Sequence, residues 1–179
     1  MTAEIHETTL TPTKPELVQG WIGSQPWYRG SEPSLSPAGA YRIVDPAGEV
    51  GIETLLLRDA DGTLYQVPVT YRSEPLPGAE LIGTIEHGVL GTRYVTLGTT
   101  DAVYVTEMIR TIVEGRSEAA LSSGKEPTAR VHGSGAPADE SYQLEVIWTP
   151  TPGPAPEAIG TLEGEIVAEG ELMTLVVLR

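Results

Sequence analysis

Apolar and polar residues alternate along most of this chain, and glycine and proline punctuate the alternation. Residues 3–10, AEIHETTL, alternate and are β-compatible. Thr13-Lys-Pro-Glu16 then has the capping-box spacing, with Glu16 able to return to the Thr13 amide. It predicts a short helix carrying Leu17, Val18, Trp21 and Ile22 on one face and ending near Gly23. A short strand is expected over 41–45. Strands over 50–59 and 63–72 flank Asp59-Ala-Asp-Gly62, a strong hairpin signal. Pro68 inside the second of them marks an edge or a bulge, because proline cannot donate to a ladder. Further strands are expected over 81–86 and 92–97.

Asp101 is a good N-cap residue. The stretch after it, AVYVTEMIRTIVEG, places Val105, Met108, Ile109 and Ile112 at helical spacing, and Gly115 is a natural C′ residue. The rest reads as strand and turn, with strands over 129–132, 142–148, 161–168 and 172–178. Strands outnumber helices, so the fold class is α+β, an antiparallel sheet packed on one or two helices.

Three glycine- and proline-rich clusters, at 30–39, 122–135 and 150–156, interrupt the pattern. The middle one follows the second helix and supports a boundary near Gly115, giving a unit over 1–115 and a β-rich extension over 116–179. The run TPTPGPAPE at 149–157 is expected as a polyproline-like loop. At 179 residues the chain is long enough to bury about 70% of its unfolded surface.

The net charge of −14 repels phosphate backbones and anionic lipid, which argues against nucleic-acid and membrane-surface partners. Both sections are acidic, −8 over 1–115 and −6 over 116–179. Cysteine is absent, which removes disulfides, thiolate metal sites and cysteine nucleophiles together. The N-terminus has no signal-peptide pattern and no window approaches 18 consecutive apolar residues. A cytoplasmic protein is the default expectation.

Most residues with chemical potential read as surface features. His6, His87 and His132 lie far apart and no HExxH occurs, so no metal is expected. Glu86 and His87 are adjacent, but neighbours on a strand point to opposite faces. Asp59-Ala-Asp61-Gly62 starts like a calcium loop yet lacks the later acids, and a hairpin turn explains it. There is no GxSxG, and Gly133-Ser-Gly135 does not complete GxGxxG. Phosphoryl transfer needs a lysine on the phosphates and usually a catalytic-loop asparagine. Asparagine is missing and the only lysines are Lys14, at a helix start, and Lys125, in a glycine- and serine-rich linker. No cofactor is expected. Paired carboxylates for hydrolysis remain an open alternative, with no spacing that singles out a pair.

The densest local feature is Gln25-Pro-Trp-Tyr-Arg-Gly30. Trp27, Tyr28 and Arg29 can form a stacked amphipathic surface for a partner or a sugar. The alternative places Trp27 in the core after the helix and pairs Arg29 with a carboxylate. A chain without phenylalanine needs its tryptophans for packing, which favours the second reading.

The series EIHETTLTPTK, QPWYRG, DPAGEVGIE, VPVTYR and LIGTIEHGVLG, followed by Tyr94-Val95, resembles in order and spacing the N-terminal cap domain of bacterial maltokinases. It is most similar to stand-alone cap-like proteins of actinobacteria. The likeness covers about residues 3 to 113. It implies a cystatin-like cap, a curved antiparallel β-sheet wrapping a helix. In that family the cap sits on the N-lobe of an aminoglycoside-phosphotransferase-like kinase that makes maltose 1-phosphate for α-glucan synthesis. Here only 64 residues follow Gly115, too few for the kinase lobes. The tail resembles the opening of a kinase N-lobe: 129–135 is similar to the strand entering a phosphate loop, 142–148 to the returning strand, and 175–179 to the strand carrying the phosphate lysine, without that lysine. The resemblance implies a non-catalytic interaction or regulatory module with a protein partner in trehalose, maltose or α-glucan metabolism. Its expected contact residues are Trp27, Tyr28 and Arg29, or the loop from Glu86 and His87 to Gly91. A small-molecule, sugar-binding protein is the alternative.

Overall fold

A computed structural model describes residues 2–3, 9–31, 33–138, 140–153 and 157–179. His6, most of the alternating N-terminal stretch, and part of the proline-rich loop at 149–157 lie outside the described residues. Two short strands, β1 (Thr2–Ala3) and β2 (Leu10–Thr11), precede helix α1 (Lys14–Ile22). The capping box forms as the spacing requires: Glu16 Oε2 accepts from the Thr13 amide at 2.9 Å, and Thr13 Oγ1 accepts from the Glu16 amide at 3.5 Å. Val18 and Ile22 form the buried face of this helix.

Five longer strands follow: β3 (Ser36–Val44), β4 (Gly51–Arg58), β5 (Leu64–Arg72), β6 (Leu81–His87) and β7 (Gly91–Leu97). With β2 they make a curled antiparallel half-barrel in the order β2-β6-β7-β5-β4-β3. Strand β3 begins five residues earlier than its alternation predicts, and a register shift between Pro37 and Gly39 carries the irregular part. Gly62, at φ +84°, closes the β4–β5 turn, while Asp59 Oδ1 accepts from the amides of Asp61 and Thr63.

Pro68 lies on a strand that is interior to the sheet. Pairing of β5 with β7 begins only at Val69, and the Gln66 amide bonds away from β4, to the Trp148 carbonyl at 2.9 Å. Residues two apart on a strand direct their amides to the same side. The missing Pro68 donor therefore falls in the gap between these two partners, where no ladder bond is lost.

A single turn at Gly98–Thr100 leads to helix α2 (Ala102–Val113). Asp101 caps it, accepting from the Val103 amide at 3.0 Å, and Gly115 leaves it at φ +61°. The buried residues of α2 are Tyr104, Glu107, Met108, Thr111 and Ile112. Val105 and Ile109, which the helical spacing grouped with them, are only half-buried.

Beyond α2 come β8 (Ala120–Leu121), β9 (Ala129–Gly133), β10 (Leu144–Val146), β11 (Gly160–Ile166) and β12 (Leu172–Leu178). Strand β8 pairs in parallel with β1, and the other four form an antiparallel sheet in the order β10-β12-β11-β9.

The two faces of the half-barrel are both covered. Leu55, Leu57, Tyr65, Val67, Val69, Ile85 and Val95 pack with Val18 and Ile22 of α1. Residues of opposite parity, including Ile52, Leu56 and Leu64, pack with Tyr104, Met108 and Ile112 of α2 and with Val131, Leu162 and Leu175 of the second sheet. That double burial explains why β4 is buried continuously from Ile52 to Leu57 instead of on alternate residues. One hydrophobic cluster spans both sides of Gly115, with α2 held between the two sheets.

Candidate functional site

The aromatic residues picked from the sequence form a seam. Trp27 lies flat on Trp148, ring centroids 4.6 Å apart and planes within 4°. Trp21 approaches Trp27 at 5.9 Å, and Tyr28 leans on Tyr65 at 5.0 Å. Trp21 donates its indole N–H to Glu80 Oε1 at 2.8 Å. Trp27 and Tyr28 are half-buried. Arg29 does not pair with a carboxylate among the described residues. Its guanidinium turns back to the Pro26 carbonyl at 2.7 Å, across the tight turn that the Tyr28 amide closes on the Gln25 carbonyl. Trp27 therefore fastens the 148 region to the α1 end of the half-barrel.

Glu86 and His87 diverge as strand geometry requires. Glu86 is exposed and accepts from Thr92 Oγ1 at 2.8 Å. His87 Nδ1 accepts from the amides of Val89 (3.3 Å) and Leu90 (3.1 Å), shaping the β6–β7 turn. Val89 and Leu90 at its tip are 62% and 41% exposed.

A cleft of about 700 Å³ opens at the polar end of the α1-facing side of the half-barrel. Its floor is a charged group that sequence reasoning missed. Glu53, 5% exposed, sits inside the apolar β4 strand. Lys14 Nζ donates to its Oε2 at 2.6 Å, the Tyr71 hydroxyl at 2.7 Å and Arg42 at 3.4 Å. The β3–β4 register sets Arg42 directly opposite Glu53. Burial opposes ionisation of Glu53, but Arg42, Lys14 and the hydrogen bonds outweigh it and hold its pKa below the usual value. Burial first, and then Glu53, drive the Tyr71 phenol well above its ordinary pKa. His87, Leu90 and Arg93 line the same cleft, so one of the five sequence-selected residues belongs to it. The available signal was an acid breaking the apolar run GIETLLL, but its partners lie on other strands and on α1.

The glycine turn at 133–135 is structural. The Gly135 amide bonds to the Ile112 carbonyl at 3.0 Å, and the Ser134 amide to Thr161 at 2.9 Å, which seals the end of α2. Strands β9 and β10 lie at opposite edges of their sheet. The phosphate-loop hairpin implied by the resemblance of 129–135 and 142–148 is therefore not formed; β11 and β12 pair between them because their longer apolar strands take the central positions.

Among the described residues no group of three histidine, aspartate or glutamate side chains is placed to hold a metal ion. No helix among them is long and apolar enough to cross a membrane.

The fold is α+β, a curled antiparallel half-barrel with two helices, consistent with a cap domain. Residues 21–101 match the family model described as the maltokinase N-terminal cap domain. No curated protein matches the chain.

Proposed function

We propose that this protein is a non-catalytic recognition module built on a maltokinase-type cap, with a protein partner in trehalose, maltose or α-glucan metabolism. The observation that carries the reading is the β6–β7 turn of the matched segment, which presents Val89 and Leu90 to solvent on a tip shaped by His87. Exposed apolar side chains on a rigid hairpin are a usual contact feature. Two further facts support a role without phosphoryl transfer. Lys14 is committed to Glu53, and the 133–135 turn is committed to the end of α2. Sugar stacking on Trp27 is less well supported, since one ring face is already taken by Trp148.

The test is capture of a purified maltose-, trehalose- or α-glucan-converting enzyme by the immobilised chain. Wild type should retain one such enzyme, and the Val89→Asp/Leu90→Asp variant should not. Equal retention by both, or none above a scrambled-sequence control, overturns the reading. So does magnesium-dependent sugar phosphorylation by the purified chain.

A further inference from the structure

The polar end of the half-barrel lacks the acidic excess that marks the rest of the chain. On the cleft floor Lys14 and Arg42 meet Glu53, and Arg93, opposite Ile85 on the neighbouring strand, lines the same cleft. The residues lining the cleft carry four positive charges, on Lys14, Arg42, Arg93 and Lys125, and four negative, on Asp45, Glu49, Glu53 and Glu126, so the cleft is locally neutral on a chain of net charge −14. The other acids of the cleft are engaged or peripheral. Asp45 accepts from the amides of Ala47, Glu49 and Val50 within its own turn. Glu49 and Glu126 are exposed, Glu126 lying 3.4 Å from Arg130.

Arg93 is the informative residue. It is half-buried and has no side-chain partner among the described residues, whereas Arg42, Arg58, Arg72 and Arg110 are all ion-paired. Partly desolvating a guanidinium without a counter-charge is unfavourable, and its planar fork suits a two-oxygen anion. Arg42 meets Glu53 only at 3.4 Å through one nitrogen, which leaves donors of its own. Ile85, Leu90 and Leu121 supply an apolar wall beside this charge. A concave site with a few convergent polar groups against an apolar wall is the usual form of a small-molecule site.

We propose that this cleft binds a small organic anion, a phosphomonoester or carboxylate, with Arg93 taking the two-oxygen end and the ligand's body lying against Ile85, Leu90 and Leu121. The proposal goes beyond the partner reading and does not depend on it.

Isothermal titration at low ionic strength, with phenyl phosphate, phenylacetate and neutral benzyl alcohol as probes, tests it. At least one anion should bind saturably and the alcohol should not; which anion binds more tightly distinguishes a phosphate from a carboxylate head. Arg93→Met should weaken anion binding at least about tenfold, while Arg130→Met, outside the cleft, should leave it unchanged. Amide shift changes in the wild-type protein should centre on Ile85, Leu90 and Arg93, a readout that holds even if the Arg93 variant folds poorly. Absence of anion binding at millimolar concentration, equal binding of benzyl alcohol, or shifts centred elsewhere overturns the proposal.

Discussion

Trp27 and Trp148 stack face to face at 4.6 Å, although one follows α1 and the other follows β10 near the far end of the chain. The pair ties the half-barrel to the second sheet from outside the shared core. Trp148→Ala should therefore lower unfolding free energy by about 2–3 kcal/mol, less than a fully buried tryptophan costs. A double-mutant cycle with Trp27→Ala should return a coupling of about 0.5–1.5 kcal/mol. Urea unfolding of the four proteins measures it, and strict additivity would deny the contact an energetic role.

Gln66 is fully buried and links the same two bodies through its side chain. Its amide nitrogen donates to the Ile147 carbonyl at 2.8 Å and the Leu175 carbonyl at 2.5 Å. Leu175 also accepts from the Ile147 amide, so Gln66→Leu deprives mainly Ile147 of its partner. The expected cost is about 1–2 kcal/mol. Hydrogen exchange should quicken in β10 and β12 more than in β6 and β7.

Acid should act through two carboxylates. For Glu53 burial resists ionisation but is outweighed by Arg42 and Lys14; for Asp101 burial is outweighed by the hydrogen bonds from Arg72 and Thr70. Both folded pKa values lie below the unfolded ones, about 4.3 and 3.9. Each group therefore adds stability that is complete above its unfolded pKa and is lost as pH falls through its folded pKa. Glu53→Gln should cost about 3 kcal/mol at neutral pH, since it strands Lys14 and Arg42. It should also flatten the stability profile below about pH 4. Unchanged slope in that variant would mean the carboxylate titrates normally.

Glycine substitutions should separate close approach from mere flexibility. A Cβ on Gly133 would lie 2.4 Å from the Thr111 carbonyl oxygen and 2.7 Å from the Ile112 Cα, both helix backbone that cannot yield. Gly133→Ala should destabilise by about 1–3 kcal/mol or more. Gly20, on an open face of α1, meets nothing within 4 Å. Gly20→Ala should stabilise by about 0.5–1 kcal/mol. Thermal unfolding of the two variants should shift in opposite directions.

Much of the fold was legible because its signals are local. The Thr13–Glu16 box, the Asp101 cap and Gly115 specify both helices within a few residues. The Asp59–Gly62 turn sets the β4–β5 register. The start of β3 was obscured because Pro37 and Gly39 disguise a bulged strand. Of the candidate site, His87 was visible, while nothing local singles out Arg42 or Arg93, and Glu53 shows only as an acid inside an apolar run.

Local chemistry in the chain, then, decided where helices begin and end, which turns close hairpins, and that strands dominate. Only the packed structure decided that Arg42, Lys14 and Tyr71 converge on Glu53, that Trp27 meets Trp148, and that β9 and β10 are kept apart. Caps and turns depend on backbone geometry within a few residues. Long-range pairings depend on which apolar faces exclude water together, and no periodicity within a single strand records its partner.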